Sequence, residues 1–168
     1  MFADAPADVV ARITAASHAL GVAFQLSDDI LDVASESAQS GKAPGTDLRE
    51  GVRSLPVLHA LAPPAPGAGA GRQAPGAPAA GSAASGSSGS PGADDARLRE
   101  LLARDGLTDD VEHAEALALL RAHPAMDAAR ADLRRWSDAA RTEIAALPDI
   151  PARRAFEVMC DFVVERTS

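Results

Sequence analysis

Three aspartates, Asp28, Asp29 and Asp32, lie together in an otherwise apolar stretch. On a helix with 3.6 residues per turn, they share an arc of roughly 100° with Gln25. No lysine, arginine or histidine lies three or four residues from any of them, so no local ion pair offsets their repulsion. Partly buried carboxylates without a cation either protonate or hold a metal ion, and oxygen ligands suit Mg²⁺. The spacing predicts a Mg²⁺ site, and the alternative is a solvated acidic face.

The only lysine among the 16 basic residues is Lys42, which follows Gly41 one short loop after the acidic cluster. A lysine in this position can donate to a phosphate group that the metal ion also holds. The alternative for such a glycine-flanked lysine is a solvated turn. The order and spacing of the two motifs favour a phosphate-binding role.

These motifs resemble the second aspartate-rich region of the trans-isoprenyl (polyprenyl) diphosphate synthases. The resemblance covers about residues 18–61 and consists of Phe24-Gln25-x-x-Asp28-Asp29-x-x-Asp32, Gly41-Lys42-x-x-Gly45-x-Asp47-Leu48 and Gly51-x-x-Ser54-Leu55-Pro56. It implies an all-α fold around a central cavity, in which two facing aspartate-rich motifs hold Mg²⁺ ions. The allylic diphosphate would ionise there, and isopentenyl diphosphate would attack the resulting cation.

The resemblance also implies a role for each matching residue. Asp28, Asp29 and Asp32 would be metal ligands. Lys42 would contact the allylic diphosphate, and Gln25 would lie beside the substrate, which makes these two the candidate catalytic residues. Phe24 would form part of the wall of the substrate cavity.

The sequence departs from the family pattern in several ways. The first aspartate-rich motif belongs well upstream, and only 27 residues precede Asp28. The lysine-threonine pair that precedes this region in the family and the basic residues that bind isopentenyl diphosphate are also missing. Val52 stands where many members have a second lysine, which leaves Arg49 and Arg53 as candidate replacements. We therefore expect the chain to be inactive alone. The alternatives are a non-catalytic subunit that pairs with a complete synthase, and an unrelated helical protein.

Composition and periodicity predict an all-α protein, the C-terminal part of the isoprenoid-synthase helical fold. We interpret 1–168 as a single partial domain: the second aspartate-rich region (1–61), a disordered insertion rich in Ala, Gly, Pro and Ser (62–93), and C-terminal helices (94–168). A long helix over 7–34 would bury Ile13, Leu20, Phe24 and Leu31 on one face. A shorter helix begins near Ser54, a potential N-cap.

The C-terminal part predicts four helices, over about 94–104, from after Thr108 to before Pro124, over about 125–146, and from Pro151 onward. Trp136 and Cys160 are expected in the core, and the last helix carries apolar residues at Phe156, Met159, Phe162 and Val163. The four histidines do not pair at metal-ligand spacing, so we interpret them as structural or surface residues.

Charge and cysteine content narrow the choice of partner and compartment. The net charge of −8 disfavours nucleic acids and anionic membranes. A single cysteine is typical of a reducing cytoplasm, and the sequence contains neither a signal peptide nor 18 consecutive apolar residues. We therefore expect a cytoplasmic protein that is not an integral membrane protein. Its expected partners are allylic and isopentenyl diphosphate, and either a second copy of the chain or a full-length synthase.

Overall fold

The computed structural model describes residues 5–35, 43–63 and 91–167. Within these ranges all regular structure is helical and there is no strand, which confirms the predicted fold class. The helices are α1 (Ala7–Ala34), α2 (Thr46–Glu50), α3 (Leu55–Leu61), α4 (Pro91–Leu102), α5 (Asp110–Ala122), α6 (Ala125–Ala145) and α7 (Pro151–Glu165).

Most helix boundaries agree with the predicted ones, with two differences. The short helix α2 was not predicted, and α4 begins at Pro91, three residues before the predicted start at Asp94. The predicted disordered insertion falls mostly on 64–90, which lies outside the described residues. Residues 91–93, the end of the predicted insertion, instead form the first turn of α4. A proline is tolerated in this turn because the first amides of a helix have no partner within it.

The long helix α1 packs mainly against α6, through a stripe rich in small residues. The predicted apolar face was partly wrong, because Ile13 and Phe24 are 44% and 38% exposed. Small side chains let the two helix backbones approach closely, so the buried face is rotated toward the alanines. The buried residues of α1 are Ala16, Ala19, Leu20, Ala23, Ser27, Ile30 and Val33.

The remaining helices complete one apolar core around α6. Helix α7 packs on α6, α3 lies against α1 and α6, and α4 packs on α5. The prediction that Cys160 is buried is confirmed, and burial raises the pKa of its thiol. Trp136 was predicted in the core but is 37% exposed, and its ring makes an edge contact with His18 of α1. Met159 and Phe162, two apolar positions of α7, are about half exposed.

The N-termini of α3 and α5 differ in how their backbone amides are satisfied. Asp109 caps α5 by accepting hydrogen bonds from the amides of Val111 and Glu112. Ser54 occupies the predicted N-cap position of α3, but its side chain does not cap the helix. Within the described chain its hydroxyl is buried without a hydrogen-bond partner. The first amide of α3 is satisfied by a carboxylate from α1.

Helix α1 is long and apolar enough to cross a membrane by length and composition. In its most apolar 18-residue window, 22% is buried. Core helices of soluble proteins and signal sequences meet the same criterion. The expectation that the chain is not an integral membrane protein therefore stays a prediction.

Candidate functional site

The last turns of α1 place the three aspartates along one open cleft. The cleft has a volume of about 480 Å³ and lies between α1 and the segment that leads into α2. Four of its lining residues are aspartates, so the wall is strongly acidic. The lining residues are Gln25, Asp28, Asp29, Leu31, Asp32, Ser35, Ala43, Pro44, Thr46 and Asp47.

Asp32 uses both carboxylate oxygens to hold the start of α2. Its Oδ1 accepts a hydrogen bond from the backbone amide of Thr46 and its Oδ2 accepts one from that of Asp47, both at 3.1 Å. The backbone carbonyl of Asp32 also accepts from the amide of Gly45 at 2.7 Å. These amides are the unpaired donors that begin a helix, and they stabilise a carboxylate without neutralising its charge.

Asp29 holds the start of α3 with one of its two carboxylate oxygens. Its Oδ2 accepts a hydrogen bond from the backbone amide of Leu55 at 3.0 Å, which is the capping role predicted for Ser54. Its Oδ1 accepts from the side-chain amide of Gln25 at 2.9 Å. Asp29 therefore joins α1 to α3 and orients Gln25 along the cleft.

Asp28 differs from the other two because its partner is an arginine. The carboxylate is 54% exposed, and its Oδ1 accepts a hydrogen bond from Nη2 of Arg166, just beyond α7, at 2.5 Å. The Arg166 guanidinium also lies 4.3 Å from the centre of the Phe24 ring. Phe24, which was expected to form the cavity wall, therefore packs under this arginine and does not line the cleft.

A histidine on α5 supports the segment that leads into α2. The Nε2 of His113 donates a hydrogen bond to the backbone carbonyl of Gly45 at 2.8 Å, and the ring is buried. Gly45 has a φ of 72°, and a Cβ at this position would lie 2.7 Å from His113 Nε2. Only glycine fits both the left-handed backbone and the close approach of the imidazole. Sequence reasoning had assigned His113 only a general structural or surface role.

The cleft carries more acidic than basic side chains, so its negative charge is only partly neutralised. Burial, followed by the neighbouring charges of Asp32, Asp29 and Glu50, raises the pKa of Asp47 above its ordinary value. In the described part of the chain, Arg166 is the one basic side chain in hydrogen-bond contact with Asp28, Asp29 or Asp32.

The two arginines proposed as replacements for the second lysine do not reach the cleft. Arg49 pairs with Asp110 at 2.8 Å. Arg53 lines a separate small cavity with Leu101 and Leu102. Lys42 lies outside the described residues, so its predicted contact with the diphosphate stays a prediction.

The geometry fits a cation held partly by the chain and partly by a ligand. Within the described ranges, no three carboxylate, imidazole or thiol groups are close enough to enclose a metal ion by themselves. Magnesium commonly binds one or two carboxylates and completes its shell with water and phosphate oxygens. Asp28 and Asp32 lie one helical turn apart on the cleft wall, so these two residues fit that requirement.

Comparisons with known proteins agree with the sequence motifs. The sequence profile of the Polyprenyl synthetase family matches residues 1–69. The chain is 41% identical over 166 residues to the nonaprenyl diphosphate synthase of Mycobacterium tuberculosis, a match that covers 99% of this chain and 41% of that protein. It is 45% identical over 60 residues to heptaprenyl diphosphate synthase component 2 of Geobacillus stearothermophilus, covering 36% of this chain and 19% of that protein.

A solved structure extends the likeness to the fold. The crystal structure of geranylgeranyl pyrophosphate synthase from Corynebacterium glutamicum, complexed with calcium and isoprenyl diphosphate, aligns with a TM-score of 0.73 and 30% identity. The alignment covers 98% of this chain and 42% of that one. The chain thus spans about two fifths of the length of the proteins it matches most fully. These similarities support membership of the trans-isoprenyl (polyprenyl) diphosphate synthase family.

Proposed function

We propose that this chain forms the cation- and diphosphate-binding wall of a prenyltransferase that condenses an allylic diphosphate with isopentenyl diphosphate. The observation that carries the proposal is the acidic cleft, which brings Asp28, Asp29, Asp32 and Asp47 together. The names of the related enzymes support the reaction class. The calcium and isoprenyl diphosphate in the related crystal structure support the ligand class.

A divalent cation is needed because the cleft and a diphosphate are both anionic. Asp28 and Asp32 would hold Mg²⁺ with the diphosphate oxygens as further ligands. When bound there, Mg²⁺ would stabilise the negative charge that builds on the diphosphate as it leaves the allylic carbon. Each oxygen of Asp29, like each oxygen of Asp32, already accepts one hydrogen bond. A carboxylate oxygen has a further lone pair, so Asp29 would be a third ligand for the cation.

The other proposed substrate contacts follow from the same geometry. The Gln25 side-chain amide gives one of its two N–H donors to Asp29, which leaves the second for a diphosphate oxygen at the cleft wall. Lys42 would add a positive charge to the same diphosphate, as the family resemblance implies. These donors would bind and orient the leaving group before it departs.

One wall of such a site is not expected to catalyse the reaction at a useful rate. Removing a single well-placed electrostatic donor typically costs about 10²–10³ in rate. The opposing aspartate-rich motif and the residues that bind isopentenyl diphosphate are not found in these 168 residues. We therefore expect diphosphate binding without efficient turnover by the chain alone.

Isothermal titration of Mg²⁺ into the protein with inorganic diphosphate tests the binding site. We expect weak Mg²⁺ binding alone and tighter binding with diphosphate, because the ligand completes the coordination shell. The variant Asp28→Ala should weaken binding about tenfold or more, since removing even an outer-shell partner of a metal ligand typically costs about 10–100-fold in metal affinity. The exposed control Asp127→Ala removes the same charge outside the cleft and should leave the heats unchanged. Equal heats for the two variants would reject the metal assignment.

Incorporation of labelled isopentenyl diphosphate tests the activity. The purified chain is incubated with geranyl or farnesyl diphosphate and Mg²⁺, and prenyl products are counted. We expect no turnover above the protein-free background. Turnover that Asp29→Ala abolishes would contradict this expectation and would indicate an active site assembled across copies of the chain.

A second candidate function is a non-catalytic subunit that pairs with a complete synthase. It is favoured by the exposed apolar side chains of Val10 and Ile13 on α1. It is also favoured by the relative from Geobacillus stearothermophilus, which is named as component 2 of a heptaprenyl diphosphate synthase. Sedimentation with and without a full-length synthase tests it. Ile13→Glu should abolish a complex, whereas Val111→Glu, which changes an isolated exposed valine on α5, should not. The absence of any complex with wild-type protein would reject this candidate.

A further inference from the structure

Arg166 links the end of α7 to the acidic motif on α1, although 138 residues separate it from Asp28. Its Nη2 donates to Asp28 Oδ1 at 2.5 Å and to the backbone carbonyl of Phe24 at 3.2 Å. Its Nε donates to the hydroxyl of Ser27 at 2.5 Å. The guanidinium lies 4.3 Å from the Phe24 ring centre and 5.9 Å from that of Phe162. One side chain thus contacts four residues around the metal motif.

The environment makes this contact more specific than an ordinary surface ion pair. The Arg166 side chain is only 19% exposed, and the Ser27 hydroxyl is fully buried. Arginine has a planar, rigid set of donors that stacks well on aromatic rings, so Ser27 and the Phe24 ring fix its orientation. Among these contacts the bond to Asp28 is the one with a charged partner, so breaking it removes the strongest of them.

Asp28 is the carboxylate of the motif that is free to change partners. Asp29 and Asp32 hold the N-terminal amides of α3 and α2, so moving them would disturb two helices. Asp28 holds no backbone amide in the described structure and is more than half exposed. A divalent cation at Asp28 and the positive charge of Arg166 would repel each other across this one carboxylate.

We propose that Arg166 is a positioning residue of the cation site. It holds Asp28 through a direct hydrogen bond when no cation is bound, and it releases this carboxylate when a divalent cation binds. Cation binding is thereby coupled to the end of α7, which loosens as Arg166 gives up its charged partner. This inference rests on the proposed function in one respect only, the assignment of Asp28 as a cation ligand.

Binding of Mn²⁺, followed by electron paramagnetic resonance, tests the competition. Mn²⁺ shares the preference of Mg²⁺ for oxygen ligands. We expect Arg166→Gln to raise the affinity for Mn²⁺ about fivefold or more, the lower bound typical of two coupled sites. The matched control is Arg154→Gln, which removes an exposed arginine of the same helix that pairs with Asp149. This control should leave the affinity unchanged. Unchanged or weaker binding by Arg166→Gln would overturn the proposal.

Hydrogen exchange on the wild-type protein gives a second readout that needs no variant. Adding Mg²⁺ should speed amide exchange over residues 162–167 and leave the middle of α7 unchanged. A purely structural role for Arg166 would not make exchange at this end depend on the cation. Exchange over 162–167 that Mg²⁺ does not alter would overturn the proposal, even if Arg166→Gln fails to fold.

The variant Asp28→Asn separates this inference from the proposed function. If Asp28→Asn weakens Mn²⁺ binding while Arg166→Gln has no effect, the metal site stands and the role of Arg166 is wrong. If Asp28→Asn keeps the wild-type affinity, the assignment of the metal ligand is itself wrong. The two failures are therefore distinguishable in a single set of titrations.

Discussion

Carboxylates in the two parts of the molecule are stabilised in opposite ways. In the C-terminal helices, carboxylates pair with arginines on the surface, and the arginine hydrogen bonds lower their pKa values. The residues are Asp95, Glu115 and Asp149, paired with Arg99, Arg97 and Arg154. At the acidic cleft, Asp29 and Asp32 accept hydrogen bonds from backbone amides. The pKa of nearby Asp47 is raised by burial and by the other aspartates.

This difference separates carboxylates that stabilise the fold from those available to a ligand. An arginine neutralises its partner, so the surface pairs of α4–α7 leave little charge for a cation. Backbone amides hold a carboxylate in position while its full negative charge remains. Asp29 and Asp32 therefore combine fixed geometry with unneutralised charge, as a metal site requires, whereas Asp28 must exchange Arg166 for the cation.

Disturbing the segment that supplies the amides should have the largest effect. Gly45→Ala would force a Cβ to within 2.7 Å of His113 Nε2 at a backbone φ of 72°. We expect a loss of about 2–4 kcal/mol in the free energy of unfolding, from backbone strain plus overpacking. Urea denaturation measures it. Gly21→Ala, where an added Cβ meets nothing within 4 Å in a helix, should instead stabilise the protein by about 0.5–1 kcal/mol. Equal stability of the two variants would contradict the role of His113.

A smaller effect should distinguish the two kinds of carboxylate directly. Asp32→Asn leaves one acceptor oxygen for two backbone amides, so the amide of Thr46 or Asp47 loses its partner. We expect a destabilisation of about 1–2 kcal/mol, since an unsatisfied, partly buried donor is costly. The same change at Asp149, which is an exposed partner of Arg154, should lower the urea midpoint much less, because solvent screens this pair. Identical midpoints for the two variants would remove the distinction between the two regions.

The pH dependence should show the smallest effect. The pKa of Glu115 is lowered from its ordinary 4.5, and that of Asp149 from 3.8, each chiefly by an arginine hydrogen bond. A folded-state pKa below the unfolded value contributes stability at higher pH, and this stability is lost as the pH falls through the folded pKa. As the pH is lowered below about 4.5, the urea concentration at the wild-type midpoint should therefore decrease. The midpoint of Glu115→Gln should decrease less over the same pH range. Asp47, with a raised pKa, acts in the opposite direction. Parallel curves for the two proteins would reject this assignment.

The sequence was sufficient to predict six of the seven described helices and the acidic motif. The predicted helix over 7–34 coincides with α1, and α7 begins at the predicted Pro151. These predictions succeed because periodicity, capping residues and helix-breaking prolines act over a few neighbouring residues. The motif around Asp28 was also recognisable, because it depends on residue types at short, fixed spacing.

Only the tertiary structure decided how those elements and side chains are used. Helix α1 buries its alanines against α6 and leaves Ile13 exposed. Which face of α1 is buried depends on the packing of α6, and no local sequence pattern encodes that packing. Likewise, Asp29 replaces Ser54 as the cap of α3 because folding brings the carboxylate to the Leu55 amide. The contact of Arg166 with Asp28 joins residues 138 positions apart. Their charges could pair equally well with many other groups along the chain, and only the packing of α7 and α1 selects this partner.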